Sequence, residues 1–192
     1  MKRILSLLTV LALVCLLAPV ASAQGPQGLL APLQADLGAK RYQAALDKTE
    51  VLMRQIWDRV PLHLRVALFT KDDPQGFGIY TPRASNVFPR NGKPIYIYLE
   101  PVGYKIRKQA GGTYDFGLSM DLALTDTKGT ILWGKQNFLK KSVVSHHANR
   151  EFFLTVTLTL TNVPVGDYFV LLRVKDKNSS QYTEARLPLR FQ

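Results

Sequence analysis

Phe153-Leu154-Thr155-Val156-Thr157-Leu158-Thr159-Leu160-Thr161 alternates an apolar residue with a threonine from Leu154 onward. Successive side chains of a β-strand point to opposite faces, so a period of two gives a ribbon with one oily side and one wet side. Upstream the same period recurs: Ile95, Ile97 and Leu99 alternate with Tyr96, Tyr98 and Glu100. Phe116, Leu118, Met120, Leu122 and Leu124 alternate with Gly117, Ser119, Asp121, Ala123 and Thr125. Val66 with Leu68, Ile131 to Lys140, Tyr168 to Val174 and Ala185 to Phe191 complete a set of about seven strands. Asp126-Thr127-Lys128-Gly129 and Pro164-Val165-Gly166-Asp167 supply turns, and Asp176 to Ser180 a polar third. Consecutive strands with one oily face each, and no helices between them, predict antiparallel sheets packed face to face rather than a parallel sheet.

Before Pro61 the period is helical. Tyr42, Ala45, Leu46, Thr49, Leu52, Met53, Ile56 and Val60 fall on one side at spacings of three and four, which predicts one amphipathic helix from about Pro32 to Val60. Pro32 suits its first turn, Asp36 can pair with Lys40, Gly38 weakens the first half and Pro61 ends it. Gln24 to Ala31, with Gly25, Pro26 and Gly28, reads as a flexible leader.

Met1-Lys2-Arg3, the apolar run Ile4 to Val20 and the small residues Ala21-Ser22-Ala23 form a secretory signal cleaved after Ala23. A retained anchor fits less well because Pro19 and Ala-Ser-Ala favour cleavage. Lipidation at Cys15 would need a small residue where Val14 stands. The expected organisation is therefore a signal peptide over 1–23, leader and helix over 24–61, and a β-rich body over 62–192. Cys15 is the only cysteine of the chain, so residues 24–192 can form no disulfide and hold no thiol chemistry. Those residues carry 23 basic against 14 acidic side chains, a charge of +9 compared with +11 for the whole chain. That balance favours anionic partners at a cell envelope or solubility there, and the address is periplasmic or secreted.

Leu160, Pro164, Gly166 and Tyr168 read as Leu-x-x-x-Pro-x-Gly-x-Tyr. This resembles the turn entering a late strand of fibronectin type III and related immunoglobulin-like sandwiches of bacterial secreted or periplasmic proteins. There a tyrosine corner ties the Tyr hydroxyl to upstream backbone. The resemblance continues through Val170, Leu172 and Val174. It implies a single antiparallel immunoglobulin-like β-sandwich behind one N-terminal amphipathic helix, with Tyr168 as the structural corner. The turn is one residue longer than the fibronectin pattern, and the lack of a Cys-Trp-Cys core excludes an antibody-type domain.

The chain carries no Gly-x-Ser-x-Gly elbow, no Ser-x-x-Lys and no phosphate-cradling glycine loop. Adjacent His146 and His147 would face opposite sides of a strand, and with His63 they make no converging metal set, so no metal and no cofactor is expected. Dispersed carboxylates such as Asp72, Asp73, Glu100, Asp115 and Asp121 leave a hydrolase as a competitor. The candidate binding segment is the long loop Lys71 to Pro94, stiffened by Pro74, Pro82 and Pro89 and carrying Phe77, Tyr80, Arg83 and Arg90. The competing account has Phe77 and Phe88 plugging the core. Tyr96 and Tyr98 share the outer face of their strand, free for stacking or covered by the helix stripe. Tyr104, Lys105, Arg107 and Lys108 form a basic hairpin suited to anionic surfaces.

The expectation is an exported non-enzymatic binding or assembly module acting on an envelope protein or anionic envelope component. It binds no nucleic acid and keeps no transmembrane segment once the signal is removed. The alternative is glycan or anionic-lipid binding through Phe77, Tyr80, Arg83, Arg90, Tyr96 and Tyr98. Pro188, in the last strand, marks an edge guarded against uncontrolled strand pairing.

Overall fold

A computed structural model describes residues 25–192; the signal segment, its cleavage point at Ala23 and Cys15 lie outside the described residues. The chain divides into two units, one ending at Thr49 and one spanning Glu50–Gln192. In the first, a short 3-10 turn precedes α1 (Leu30–Gly38), and α2 (Tyr42–Trp57) runs across the boundary. The single predicted helix is thus two. It breaks where Gly38 ends α1 and Lys40 takes a left-handed φ of 56°. Asp36 is paired not with Lys40 but with Arg41, at 2.7 Å, and with Lys48. Both cations hold its carboxyl below the usual carboxylate range, Lys48 foremost. The predicted stripe is largely exposed: Tyr42, Leu46, Met53 and Ile56 face water and, of its members, Ala45 alone is buried, while Trp57, outside the stripe, is buried too.

The second unit is mainly β. Its strands are β1 (His63–Thr70), β2 (Val87–Phe88), β3 (Ile95–Val102), β4 (Arg107–Lys108), β5 (Tyr114–Asp126), β6 (Ile131–Ser145), β7 (Leu154–Leu158), β8 (Gly166–Asp176) and β9 (Tyr182–Phe191). One sheet has the order β1-β3-β7; the other runs β2-β9-β8-β5-β4, with β6 on the opposite side of β5. All pairs are antiparallel except β2 with β9. The second sheet is therefore mixed, which corrects the purely antiparallel expectation, and β2 and β4 are additions to the longer strands foreseen from the period of two.

The inner faces of both sheets meet in one core. Ile97, Leu99, Leu154 and Val156 from the first sheet pack with Leu118, Met120, Leu122, Val170, Leu172 and Val174 from the second. Every one of these is the apolar member of an alternating run. Trp57 closes one end of the core, its ring edge against Tyr104 at 5.1 Å and its indole N–H donating to the Tyr104 carbonyl. The backbone passes tightly here. Gly103 has φ +81°, and a Cβ on it would lie 2.6 Å from the Pro61 carbonyl oxygen, so only glycine fits.

The turn from Asp176 to Ser180 is polar as expected, yet Asp176 and Asn178 within it are buried. Asn178 donates to the carbonyls of Lys105 and Asp115, and the Asp176 carboxylate accepts from the backbone of Lys105 and Asn178 and from Ser179. This knot ties the β8–β9 turn to β4 and β5. The basic hairpin is bound into it. Tyr104 is fully buried with its hydroxyl on the Asn149 carbonyl, and Arg107 donates to the Asn178 carbonyl. Burial pushes the Tyr104 phenol well above its ordinary pKa.

Candidate binding surfaces

Tyr98 and Glu100 alternate with the core residues Ile97 and Leu99, so they project from the outer face of the three-stranded sheet. That face is covered. The Lys71 to Pro94 loop extends β1, with Lys71 N–H donating to the Thr81 carbonyl and Arg83 N–H to that of Phe69, and folds Tyr80 onto Tyr98. The two rings stack at 4.1 Å, and Phe153 also stacks with Tyr98, at 5.7 Å. Beneath them the Tyr98 hydroxyl donates to Glu100 Oε1 at 2.7 Å and accepts the Gly78 N–H at 2.7 Å. Burial, with Glu100 adding to it, pushes the Tyr98 phenol up to about 12, so it stays a donor.

Glu100 is only 5% exposed, and a buried carboxylate needs a partner. Arg65 provides it by donating two hydrogen bonds to Oε2, at 2.9 and 2.6 Å. The same guanidinium lies 5.4 Å from the Phe77 ring centre. Phe77, Tyr80 and Tyr98 are thus brought together, but as a second small core around an ion pair.

The other expected contact residues go elsewhere. Arg83 lies over the Phe88 ring at 4.3 Å and donates to the Val87 carbonyl, while Phe88 itself is buried against Phe69 and Phe191. Arg90 donates from Nε to the Val163 carbonyl at 2.7 Å. Tyr96 is half-buried, in register with Thr70 and Thr157. Tyr168 donates its hydroxyl to the Pro164 carbonyl at 3.0 Å, the bond expected of a tyrosine corner. His146 and His147 are exposed just after β6, and His63 opens β1.

Two depressions stand out among the described residues. The first, about 500 Å³, lies on the outer face of the six-stranded sheet over Ala123, Gly134 and Leu171. Of its charged lining residues, Arg173 pairs with Glu184 at 2.6 Å and Asp121 with Lys175 at 2.8 Å, Arg186 lies over the Phe169 ring at 3.5 Å, and Lys135 forms no ion pair among the described residues.

The second, about 470 Å³, is a groove between β6 and the stretch Thr157 to Pro164 that leaves β7. Leu124 and Leu158 lie at its base, Leu132, Trp133 and Phe138 on the β6 side, and Leu160 and Val163 opposite. None of its lining residues is charged. Trp133 is 42% exposed and Leu132 51%, a large apolar surface to leave in water. β3 occupies one side of β7, and the groove takes in the last two residues of β7, Thr157 and Leu158, before following the stretch Thr159 to Pro164 beyond the pairing with β3. Alternation alone missed this site. The signal was Ile131-Leu132-Trp133, three successive apolar residues in a strand that otherwise mixes charge with apolar side chains.

Among the described residues no helix is long and apolar enough to cross a membrane. No family model matches the chain, and no curated protein matches it. Among solved structures, the chain resembles CopC from Methylosinus trichosporium OB3b at 14% identity and a TM-score of 0.33, covering 68% of this chain and 93% of that one. It also resembles the Pseudomonas fluorescens alkylpurine DNA glycosylase AlkC bound to DNA containing an abasic site analogue. That match has 12% identity and a TM-score of 0.36 and covers 77% of this chain and 36% of the glycosylase.

Proposed function

We infer that this protein is an exported, non-catalytic binding or assembly module of the bacterial cell envelope, built on an immunoglobulin-like sandwich and acting through protein–protein contacts. The sandwich reading is supported by the sheet orders, by β2 running parallel to β9, and by the hydroxyl bond from Tyr168 to Pro164. Export is supported by the leader and by the lack of cysteine after Cys15.

One observation carries the contact reading: the apolar groove flanked by Trp133, which follows the chain out of β7 where its pairing with β3 ends. Sheet edges bordered by apolar pockets take up extended peptide, since main-chain bonds give affinity and the pockets give specificity. Glycan or lipid binding through the Lys71 to Pro94 loop has less support, because Tyr98 lies under Tyr80 and Arg83 lies on Phe88.

A photo-crosslinking amino acid placed at Trp133 in intact cells tests this. Adducts with a protein are expected, lost when Leu160 is changed to glutamate. Adducts with lipid or glycan only, matched by salt-sensitive sedimentation of the purified protein with anionic vesicles or peptidoglycan, would replace the reading.

A further inference from the structure

The geometry points to an extended, acidic protein segment as the occupant of the groove. It adds a strand to the free side of β7, seats alternate apolar side chains against Trp133, Phe138 and Leu160, and sets its carboxylates near Lys135 and Arg90. This rests on the protein-contact reading above and names the class of partner.

The state of the molecule's edges is the first argument. β6 ends its sheet with lysines: Lys135 and Lys141 are in register with the core residues Leu122 and Leu118, so they share the core-facing side. It is also kinked at Asn137, with φ 50°. Inward-pointing charge and a kink are standard protections against edge-to-edge pairing. β9 carries Pro188 and is capped by β2. β7 has none of these devices. From Leu154 to Thr161 the chain holds no charge, no proline and no glycine, and its alternation outlasts its pairing with β3, which stops at Leu158 opposite Ile95. An unguarded edge of strand-favouring residues persists in a soluble protein when something covers it.

Charge is the second argument, and it selects the cover. Between Asp126 and Glu151 the chain has no carboxylate, yet it carries Lys128, Lys135, Lys140, Lys141 and Arg150. None of these forms an ion pair among the described residues. The Lys135 ammonium lies 6.0 Å from the centre of the Phe138 ring, and Arg90 donates to the Val163 carbonyl, so next to a lining residue of each wall stands a cation that has no carboxylate partner among the described residues. A second copy of this chain would bring the same positive potential, and a basic segment likewise; a segment rich in Asp and Glu is attracted.

Three labelled synthetic peptides test the proposal by fluorescence anisotropy with the full mature chain. They share a core of alternating valine and threonine: one has glutamate flanks, one lysine flanks, and one glutamate flanks with a central proline. The glutamate peptide is expected to bind saturably and to weaken as salt rises. It should bind about tenfold tighter than the lysine peptide, since two rim contacts change from attraction to repulsion. The proline peptide should not bind. Hydrogen exchange should slow at the amides of Thr155, Thr157 and Thr159, and Lys135→Glu should erase the preference at unchanged thermal stability.

Equal affinity for the glutamate and lysine peptides overturns the acidic partner while leaving strand addition standing. Slowed exchange at β6 or β9 instead of β7, or β7 covered by self-association in sedimentation, overturns the site. A crosslink at Trp133 to a protein in cells, with no peptide preference, separates the fate of the general reading from that of this one.

Discussion

β6 and β7 each end a sheet, and they border the same groove, but they are built on opposite plans. β6 is fifteen residues long, largely exposed and studded with lysine. β7 is five residues long, alternates buried and more exposed positions and carries no charge at all. Length and exposure would suggest β6 as the sticky strand. The chemistry says otherwise: long edges need guards, and β6 has them, whereas β7 carries neither lysine nor kink and depends on what lies beside it. The pair teaches that an edge is judged by its side chains and its neighbours rather than by its extent.

The largest way to break this comparison is in the core. Leu154 of β7 is 2% exposed, so Leu154→Ala is expected to cost about 3 kcal/mol in urea unfolding. Val144 of β6 is 68% exposed, and Val144→Ala should cost under about 0.5 kcal/mol. Equal losses would mean that the two strands are not differently anchored. Next comes Gly117, where β5 meets β6. A Cβ there would lie 2.8 Å from the Lys141 carbonyl oxygen, so Gly117→Ala should cost about 1–3 kcal/mol and speed amide exchange in β6 while sparing β7.

A pH titration sharpens the contrast further. Asp121 accepts from Lys175 and from the Asn137 backbone at the β6 kink, and these bonds, Lys175 foremost, hold its carboxyl below the usual carboxylate range. A depressed folded pKa means that the stabilisation is complete above the unfolded value and is lost as pH falls through the folded one. The Asn137 amide should therefore lose protection in acid beyond the intrinsic exchange trend, and Asp121→Asn should remove that loss. β7 has no titratable side chain, so its amides should follow global stability alone. The smallest effect on stability belongs to Lys141→Thr, within about 0.5 kcal/mol. Its consequence is association: with that guard gone, sedimentation velocity should show concentration-dependent oligomers absent from the parent.

Much of this architecture is legible in the sequence because alternation reports which residues face one way. The runs through Ile97, Met120, Val156 and Val170 carry the core residues, and in the stretch Leu160 to Tyr168 the Tyr168 hydroxyl bonds back to the Pro164 carbonyl. Alternation does not report what lies over the second face. For Tyr98 the choice lies between an open stacking face and cover by the helix stripe, and nothing local says that Tyr80 and Phe153 return over it instead, a contact set by loop closure between residues far apart in sequence. The same limit hid Asn178, whose amide finds the Lys105 and Asp115 carbonyls across the fold, and made Arg83 and Arg90 look like ligand-seeking cations when each caps a backbone carbonyl. The helix failed for a local reason. The expected span, from about Pro32 to Val60, crosses Gly38 to Lys40, where the backbone turns, and Asp36 pairs with Arg41 rather than with Lys40.

The chain has two tryptophans, and the fold gives them opposite surroundings: Trp57 sits 9% exposed against Tyr104, Trp133 stands 42% exposed on the groove wall. They form a built-in pair of optical reporters. Emission from Trp57 should stay blue and shielded from iodide until the molecule melts. Emission from Trp133 should be red and quenchable, and should shift blue when something occupies the groove, so that ligand screening needs no label at all.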